Sequence, residues 1–507
     1  MKKYDVIVIG SGAGNIIQEE ALQQGLTVAQ IERGKLGGTC LTRGCIPTKV
    51  MTTLADRLIE FEESKEIGLT YSDVKLDWDQ VTDRVWQKID ESKILEDMFS
   101  KTKNLDLYQG TASFVEDKVI EIALNNGEGA KRITADRIFI GTGGRTNVPP
   151  VDGLEEAGYL TTESFFGDSF PKKPYKSLIV IGGGAIGVEF AHIFAALGTK
   201  VHIIQRNVRL LPKEDEEVSE LLLSKFLQRG INVHFNVLTT QVKKEGNKKI
   251  LTIKDKTTGE EKEVIADEIL VAPGIQSTSD LLKLDNTHIK TDEKGWIMTN
   301  EFLETTVDGV WAFGDINGRQ QFRHKANYEA DIISYNNFMN KKPEEYRWAR
   351  YDLVPAVTYT YPQVAHVGMT VKEAIEKGHQ IKVGKQYYSE TAKGFAIGYN
   401  KETHHDFAKI IIDKDTKEIL GFHAIGAEAA MMIQPFVNLM NAGETPLVAI
   451  NEEIGSETTK KLRKQGLVRQ MDPRRLNTVR ETMVPHPSLS EVGIWTFYDM
   501  RDYKEEE

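Results

Sequence analysis

The sequence predicts an α/β protein with two Rossmann-like dinucleotide-binding units and a C-terminal α+β domain. Near the start, an apolar, β-branched run at residues 4–9 leads into a glycine-rich turn and a helix-like stretch. The same order of strand, glycine turn and helix returns at residues 177–197. Two such units predict two dinucleotide sites. From about residue 351, strand-like runs follow one another with little helix between them, which is typical of an antiparallel α+β domain.

This pattern also predicts how the domains are arranged along the chain. The first dinucleotide-binding domain is expected to be discontinuous, with the second domain inserted into it. Proline-rich stretches at residues 145–153 and 171–176 are typical of crossings between domains. The predicted ranges are 1–150 with 278–350 for the first domain, 151–277 for the second and 351–507 for the third.

Composition excludes several classes of function. The chain has 507 residues and a formal net charge of -11, with 40% hydrophobic and 27% charged residues. Nucleic-acid binding needs a dominant basic face, so nucleic acid is not expected as a partner. No apolar run approaches the ~20 residues needed to cross a bilayer. The start, MKKYDVIVIG, has no cleavable apolar segment, so we expect a cytoplasmic protein without membrane association.

The first glycine turn contains Gly10, Gly12 and Gly14. Glycines at such a turn allow the backbone to approach a pyrophosphate at a helix N-terminus. Glu32 ends the next strand, where a carboxylate can hold a ribose hydroxyl. The spacing is imperfect because Asn15 stands where a third glycine is usual. Taken alone, the turn is therefore either a dinucleotide site or an ordinary strand–turn–helix.

The second glycine turn has the complete spacing, with Gly182, Gly184 and Gly187. The strand that follows ends in Gln205 and Arg206, with Arg209 close behind, where an NAD site usually offers a carboxylate. Loss of the acid removes repulsion toward a 2′-phosphate, and arginine can bind phosphate through two hydrogen bonds. We therefore expect NAD(P)H with a preference for NADPH. The alternative is that the arginines are exposed turn residues.

The chain contains two cysteines, Cys40 and Cys45, within one hexapeptide. A close pair of thiols in a cytosolic protein is more often catalytic or metal-binding than structural. In a regular helix the two Cα atoms would lie about 8 Å apart, beyond disulfide reach, so the backbone must bend if they bridge. Gly44 and Pro47 make such a bend plausible. Zinc is not expected, because no second cysteine pair and no close histidines accompany them.

With these residues, further motifs resemble the class I pyridine nucleotide–disulfide oxidoreductases. This family includes dihydrolipoyl dehydrogenase, glutathione reductase, mycothione reductase and mercuric reductase, and the resemblance extends over nearly the whole chain. The segments that carry it are residues 37–49 around the cysteine pair, Thr142-Gly143, residues 305–315, 324–326 and 421–428, and the run from His486 to Glu491.

The resemblance implies a FAD site in the first domain, an NAD(P) site in the second and a dimerisation domain in the third, working as a homodimer. Asp315 would hold the ribityl chain, and Lys49 would lie near the flavin, paired with Glu189. Beyond the first glycine turn and Glu32, the implied FAD-binding residues are Gly38, Thr39, Thr142, Gly143, Asp315 and Ala326.

The resemblance also implies a catalytic role for four residues. Cys45 would face the flavin and form the charge-transfer thiolate, and Cys40 would exchange with the substrate in a redox-active disulfide. His486, reaching in from the partner subunit, would be the acid/base, and Glu491 would orient it. This agrees with the chemistry, since exchange needs a thiolate and imidazole titrates near neutral pH.

These features predict a flavin enzyme acting on sulfur groups with NAD(P). The leading prediction is a dihydrolipoyl dehydrogenase-type reaction, whose partner is a small disulfide or dithiol or a lipoyl-carrying protein domain. One alternative is an NADPH-dependent reductase of a low-molecular-weight disulfide, similar to mycothione reductase. Another is a flavoprotein that has lost its chemistry, against which the intact catalytic residues argue. The sequence has no C-terminal cysteine pair and no N-terminal metal-carrier domain, so mercuric reductase is not expected.

An extra basic segment precedes the C-terminal histidine, at about residues 446–484, and makes this region longer than is usual in the family. It could steer an anionic substrate or an acidic carrier domain. The alternative is a solvated helix face. Within residues 458–480, Asp472 is the one acid, and the basic residues are Lys460, Lys461, Arg463, Lys464, Arg469, Arg474, Arg475 and Arg480.

Overall fold

The structure is a computed structural model that describes residues 1–500, apart from the side chains of residues 477 and 499. The last seven residues of the predicted third domain, 501–507, lie outside the described residues. Within the described part, no helix has both the length and the apolar character that crossing a membrane requires.

The strands lie along the whole described chain and alternate with helices in its first two thirds. They are β1 (Lys2–Ile9), β2 (Val28–Glu32), β3 (Leu105–Glu116), β4 (Val119–Leu124), β5 (Ala130–Ile140), β6 (Gly144–Thr146), β7 (Ser177–Ile181), β8 (Lys200–Ile204), β9 (Asn232–His234), β10 (Val237–Glu245), β11 (Lys248–Asp255), β12 (Glu261–Ala266), β13 (Glu268–Val271), β14 (Ile275–Ser277), β15 (Val310–Ala312), β16 (Ala356–Thr358), β17 (Gln363–Gly368), β18 (Ile381–Tyr387), β19 (Phe407–Asp413), β20 (Ile419–Gly426), β21 (Gly443–Pro446) and β22 (Val468–Met471).

The helices range from single turns to the 19-residue helix that begins at Cys45. They are α1 (Gly14–Gln23), α2 (Gly38–Thr42), α3 (Cys45–Glu63), α4 (Trp78–Ile89), α5 (Glu91–Lys101), α6 (Leu154–Ala157), α7 (Thr162–Phe165), α8 (Ala185–Ala196), α9 (Glu216–Gln228), α10 (Arg323–Phe338), α11 (Val371–Glu376), α12 (Ala392–Ala396), α13 (Ala429–Met432), α14 (Gln434–Asn441), α15 (Glu457–Lys464), α16 (Leu476–Glu481) and α17 (Ser490–Ile494).

The first sheet has parallel strands in the order β3-β2-β1-β5-β15. Strand β4 pairs antiparallel with the far ends of β3 and β5. Strand β1 lies at the centre, and its residues from Val6 to Ile9 are buried, as expected for a strand covered on both faces. Strand β15 comes from far along the sequence and joins this sheet, so the first unit is discontinuous.

The second sheet repeats this plan. Its parallel strands lie in the order β9-β8-β7-β13, and an antiparallel sheet of β10, β11 and β12 accompanies it. Buried strands β7 and β8 frame helix α8, whose residues from Gly187 to Phe194 are buried. Two parallel sheets with a glycine turn after the first strand of each are the two predicted dinucleotide-binding units.

The third sheet is antiparallel, in the order β16-β17-β20-β19-β18. Helices α13 and α14 cover it through an apolar cluster that includes Phe422 and Val437. The basic segment adds the short hairpin β21–β22 with helices α15 and α16. The predicted fold class, two Rossmann-like domains and a C-terminal α+β domain, is confirmed. The residue boundaries given for the domains stay predictions.

Candidate active site

A break between two helices brings the cysteines together. Helix α2 contains Cys40 and helix α3 begins at Cys45, with Gly44 between them in an extended conformation (φ −142°, ψ −116°). A Cβ on Gly44 would lie 2.9 Å from the carbonyl oxygen of Thr39, so the close approach of the two helices requires glycine. The pair is in the dithiol state, with the two thiols hydrogen-bonded to each other.

The two thiols have opposite electrostatic environments. The hydrogen bond from Cys40 lowers the pKa of Cys45, helped by the nearby charges of His486, Lys49 and Arg323. The same hydrogen bond and burial raise the pKa of Cys40. Cys45 also lies at the N-terminus of α3, where the helix dipole favours an anion. The thiolate of the reduced pair therefore resides on Cys45.

His486 lies directly on the cysteine pair. Its Nε2 is 3.1 Å from Cys40 Sγ, and its Nδ1 is 2.5 Å from Glu491 Oε1. The sequence resemblance implied a histidine from the partner subunit, but this histidine belongs to the same chain as the cysteines. That expectation is wrong for this structure. The proline-flanked loop of residues 485–487 returns the C-terminal end over its own FAD-type domain.

Two residues that the sequence did not indicate hold this loop. His324 Nδ1 accepts a hydrogen bond from the backbone N–H of His486 at 3.3 Å, and its Nε2 donates to the carbonyl of Pro355. Burial lowers the pKa of His324 to about 4, so it is neutral and can accept and donate in this way. The hydroxyl of Tyr359 donates to the carbonyl of Pro487 at 2.5 Å.

An ion pair lies beside the cysteines. Lys49 Nζ is 2.6 Å from Glu189 Oε2, so α3 is joined to α8 of the second unit. The other oxygen of Glu189 accepts the backbone N–H of Tyr359 at 2.8 Å, and Lys49 Nζ lies 4.5 Å from the centre of the Tyr359 ring. Both side chains are largely buried, so the pair places a fixed positive charge near Cys45.

The first glycine turn has little room for side chains. A Cβ on Gly10 would lie 2.3 Å from the carbonyl oxygen of Gly141, and one on Gly14 would lie 2.8 Å from Val8 Cγ1. Gly14 therefore allows the helix–strand packing that the spacing pattern assigned to the position of Asn15. Buried Glu32 accepts hydrogen bonds from the backbone N–H and the hydroxyl of Ser11, and this fixes the turn.

A cavity of about 1870 Å³ runs from this turn to the cysteine pair and His486. The carboxylate of Asp315 lines it and receives no hydrogen bond from any residue in the range 1–500, and burial raises its pKa. A buried acceptor without a protein donor suits a ligand hydroxyl. With the glycine turn, these residues fit a flavin dinucleotide. The predicted FAD residues in the cavity wall are Gly10, Gly12, Glu32, Gly38, Thr39, Thr142, Gly143, Asp315 and Ala326.

The second glycine turn has the same construction. A Cβ on Gly182 would lie 2.3 Å from the carbonyl oxygen of Ala272, and one on Gly187 would lie 1.9 Å from the carbonyl oxygen of Gly182. Gly184 borders the cavity, and a Cβ there would meet nothing within 4 Å, which leaves room for a pyrophosphate.

The polar residues after β8 have different positions from those expected. Gln205 is buried beneath the turn, where its Oε1 accepts the N–H of Gly183 and its Nε2 donates to the carbonyl of Arg209. Arg206 is exposed, and neither Gln205 nor Arg206 lines the cavity, whereas Arg209 does. Gln205 thus supports the loop much as Glu32 supports the first turn, and Arg209 is the arginine closest to the dinucleotide path.

Comparison with known proteins agrees with this geometry. The family profile described as pyridine nucleotide-disulphide oxidoreductase matches residues 4–330, and the profile of its dimerisation domain matches residues 354–460. A mercuric reductase from Staphylococcus aureus is 32% identical over 85% of this chain and 76% of its own length. A dihydrolipoyl dehydrogenase from Rhizobium etli is 32% identical over 88% of this chain and 93% of its own.

A mycothione reductase from Mycobacterium tuberculosis is 30% identical over 88% of this chain and 94% of its own length. Among solved structures, the Cu(II) complex of the HOCl-induced flavoprotein disulfide reductase RclA from Escherichia coli has a TM-score of 0.74 at 25% identity, covering 99% of this chain and all of that one.

These relatives share a flavoprotein fold but differ in the substrate that their names give. The family binds FAD and a pyridine nucleotide, and the matched dimerisation domain supports a homodimer. The first profile alone covers more than half of the chain. The chain belongs to the pyridine nucleotide-disulphide oxidoreductase family.

Proposed function

We propose that this protein catalyses two-electron transfer between a nicotinamide dinucleotide and a disulfide or dithiol substrate, with the Cys40–Cys45 pair as relay. The observation that carries the proposal is the alignment of Cys45, Cys40, His486 and Glu491 at one end of a cavity that continues to two glycine turns. Bound FAD would supply the electron transfer between the nicotinamide and the cysteine pair.

The residues of the chain divide the exchange chemistry between them. A Cys40 thiolate, formed as His486 takes its proton, attacks one sulfur of the substrate disulfide. That S–S bond breaks, a mixed disulfide forms on Cys40, and the first thiol leaves with a proton from His486. The Cys45 thiolate then attacks Cys40 Sγ, so the Cys40–Cys45 disulfide forms and the second thiol leaves. Oxidation of a dithiol substrate follows the same steps in reverse.

The leading substrate is lipoamide or dihydrolipoamide, free or on a lipoyl-carrying domain. Support comes from the pairing of the cysteine hexapeptide with the His486–Glu491 motif and from the relatives named dihydrolipoyl dehydrogenase. The second candidate is NADPH-dependent reduction of a low-molecular-weight disulfide. It is favoured by a specific observation, since Arg209 borders the cavity while no carboxylate ends β8.

An anaerobic rate panel tests these assignments. The purified holoenzyme is assayed with NADH and NADPH against lipoamide, glutathione disulfide and mycothiol-type disulfides, and with NAD⁺ against dihydrolipoamide. Faster reaction of NADH or NAD⁺ with the lipoamide couple supports the first candidate, and NADPH with a small disulfide supports the second. Hg²⁺ and Cu²⁺ serve as further acceptors, because two sulfurs and an imidazole lie within 4.8 Å of one another. Flavin reduction without turnover of any disulfide would contradict the proposal.

A further inference from the structure

We propose that each subunit completes its own dithiol site, and that the basic segment 446–484 is the bridge that returns His486 over its own chain. The inference rests on the proposed function only for the role of His486, not for its location. It differs from the partner-subunit arrangement that the sequence resemblance implied. The observations that carry it are a series of anchors between this segment and the FAD-type domain of the same chain.

The first anchor is a buried ion pair. Glu301 is fully buried, and its two carboxylate oxygens lie 2.6 Å from Nε and 3.0 Å from Nη2 of Arg463 on α15. The backbone N–H of Ile450 donates to the same carboxylate at 3.1 Å. A bidentate pair of this kind fixes the position and the orientation of α15. Arg463 is therefore committed to its own subunit and is not a free surface charge.

A second anchor lies at the start of the same helix. Glu304 Oε2 accepts hydrogen bonds from the backbone N–H of Ser456 at 3.1 Å and from the hydroxyl of Thr459 at 2.8 Å. An apolar contact adds to it, because Leu462 packs against buried Phe302 and Trp348. These contacts satisfy both the polar and the apolar face of α15.

The last anchor lies just before the histidine. Glu481 forms ion pairs with Arg347, at 3.3 Å, and with Arg469 of the hairpin. Only five residue steps separate Glu481 from His486, and a fully extended chain of that length spans at most about 17 Å. The bridge therefore confines His486 to the neighbourhood of its own Cys40, where Nε2 and Sγ lie 3.1 Å apart.

The loop itself makes specific contacts with its own chain. His324 accepts the N–H of His486, and Tyr359 donates to Pro487. Met483 and Val484, between the anchor and the histidine, are buried. A histidine placed in this way needs no partner subunit, so dimerisation and completion of the dithiol site are separate properties of this chain.

Cross-linking tests the location without using activity. Because Cys40 and Cys45 are the whole cysteine content, the double variant C45S/H486C has one thiol at position 40 and one at position 486. A short bismaleimide is expected to join them within one chain, giving a protein of monomer mass with two modified positions joined in one cross-linked peptide pair. Isotope-mixed dimers identify whether that pair comes from one chain. The matched control C40S/H486C, which retains Cys45, measures reaction at the neighbouring sulfur.

A covalent dimer, or a 40–486 peptide pair that mixes isotopes, would overturn the proposal. The result stands whether or not the enzyme reduces disulfides, so a failure of the proposed function is distinguishable from a failure of this inference.

Mixed dimers give an independent test in the holoenzyme. Differently tagged chains are combined as C40S with H486Q, and as the double variant C40S/H486Q with wild type. If each chain completes its own site, the first dimer is inactive and the second retains about half of the wild-type rate. If the histidine comes from the partner, the two results are exchanged. An active wild-type enzyme is the control, and half activity in the first mixed dimer would refute the inference.

Discussion

His486 Nε2 lies 3.1 Å from Cys40 Sγ, while its Nδ1 lies 2.5 Å from Glu491 Oε1. One side of the imidazole thus faces the exchanging sulfur and the other is fixed by a carboxylate. General acid–base groups of this kind contribute about 10²- to 10⁴-fold to rate. We expect H486Q to lower kcat/KM for the disulfide substrate by that amount, and E491Q to lower it less, because E491Q leaves the imidazole in place.

Stopped-flow half-reactions separate this effect from a general defect. Reduction of bound flavin by the nicotinamide is expected to be unchanged in H486Q, because the imidazole acts only on the thiol exchange. The subsequent oxidation by disulfide is expected to be slow. Equal slowing of both half-reactions would contradict the role assigned to His486.

The pKa of Cys45 predicts the pH range of the reduced enzyme. The hydrogen bond from Cys40, together with the charges of His486, Lys49 and Arg323, lowers this pKa. The charged form of a thiol is present above its pKa, so a lowered pKa keeps the thiolate at pH values below the ordinary cysteine value of about 8.5. The long-wavelength absorbance of thiolate and oxidised flavin is expected to persist at neutral pH and to disappear only in acid.

A lysine variant identifies the cause. K49M removes one positive charge and is expected to shift the loss of this absorbance to higher pH. K75M, which changes an exposed lysine outside the cavity wall, is the control. C45S is expected to lack the absorbance at every pH, and C40S to retain it. An absorbance that survives in C45S and vanishes in C40S would reverse the assignment of the two sulfurs.

Local constraints explain why the cysteine pair was predictable from sequence. Two cysteines in one hexapeptide can meet only if the helix breaks, and Gly44 is the residue that permits the break. The glycine turns were predictable for a similar reason, because each glycine is required by backbone atoms close to it. Asn15 illustrates the margin of error, since the packing role lies one residue earlier, at Gly14.

Contacts between distant parts of the chain were not predictable. Tyr359 and His324 hold the loop of His486 from positions 128 and 162 residues away. No periodicity or motif marks a tyrosine or a histidine for such a contact. The path of His486 to its own subunit depends on Glu301 and Arg463, which are also 162 residues apart. Gln205 was expected at the nucleotide, but its amide satisfies the backbone of its own turn.

Arg209 is the residue that we expect to select NADPH. It lines the cavity beside the second glycine turn, whereas Arg206 is exposed and lies outside the wall. Hydrogen bonds to charged groups contribute about 1.5–3 kcal/mol, so R209A is expected to raise KM for NADPH about 10- to 100-fold. KM for NADH, which lacks the 2′-phosphate, is expected to change little. R206A is the matched control, and equal changes for both nucleotides in R209A would contradict the prediction.

The exposed charges of the basic segment predict an effect of salt. Arg463 and Arg469 are engaged in ion pairs with Glu301 and Glu481, so they are unsuited to substrate steering. The fully exposed basic residues of this segment that we select for reversal to glutamate are Lys461, Lys464, Arg474 and Arg475.

We expect the quadruple reversal to lower kcat/KM for an anionic disulfide at low salt, and to leave neutral lipoamide nearly unchanged. Steering acts through long-range charge and is screened at high ionic strength, so the difference should vanish in high salt. Similar effects on both substrates without salt dependence would indicate that the segment is a solvated surface.

Loss of Arg463 tests the energetic role of the bridge. R463M leaves the carboxylate of Glu301 buried without its cation, and breaking a buried pair in this way typically costs about 3–5 kcal/mol. We expect a lower free energy of unfolding, faster proteolysis within residues 446–484, and reduced disulfide turnover because His486 is no longer held. The double variant R463M/E301M removes the stranded charge and should recover much of the stability. If R463M is as stable and as active as wild type, the segment does not hold the histidine in place.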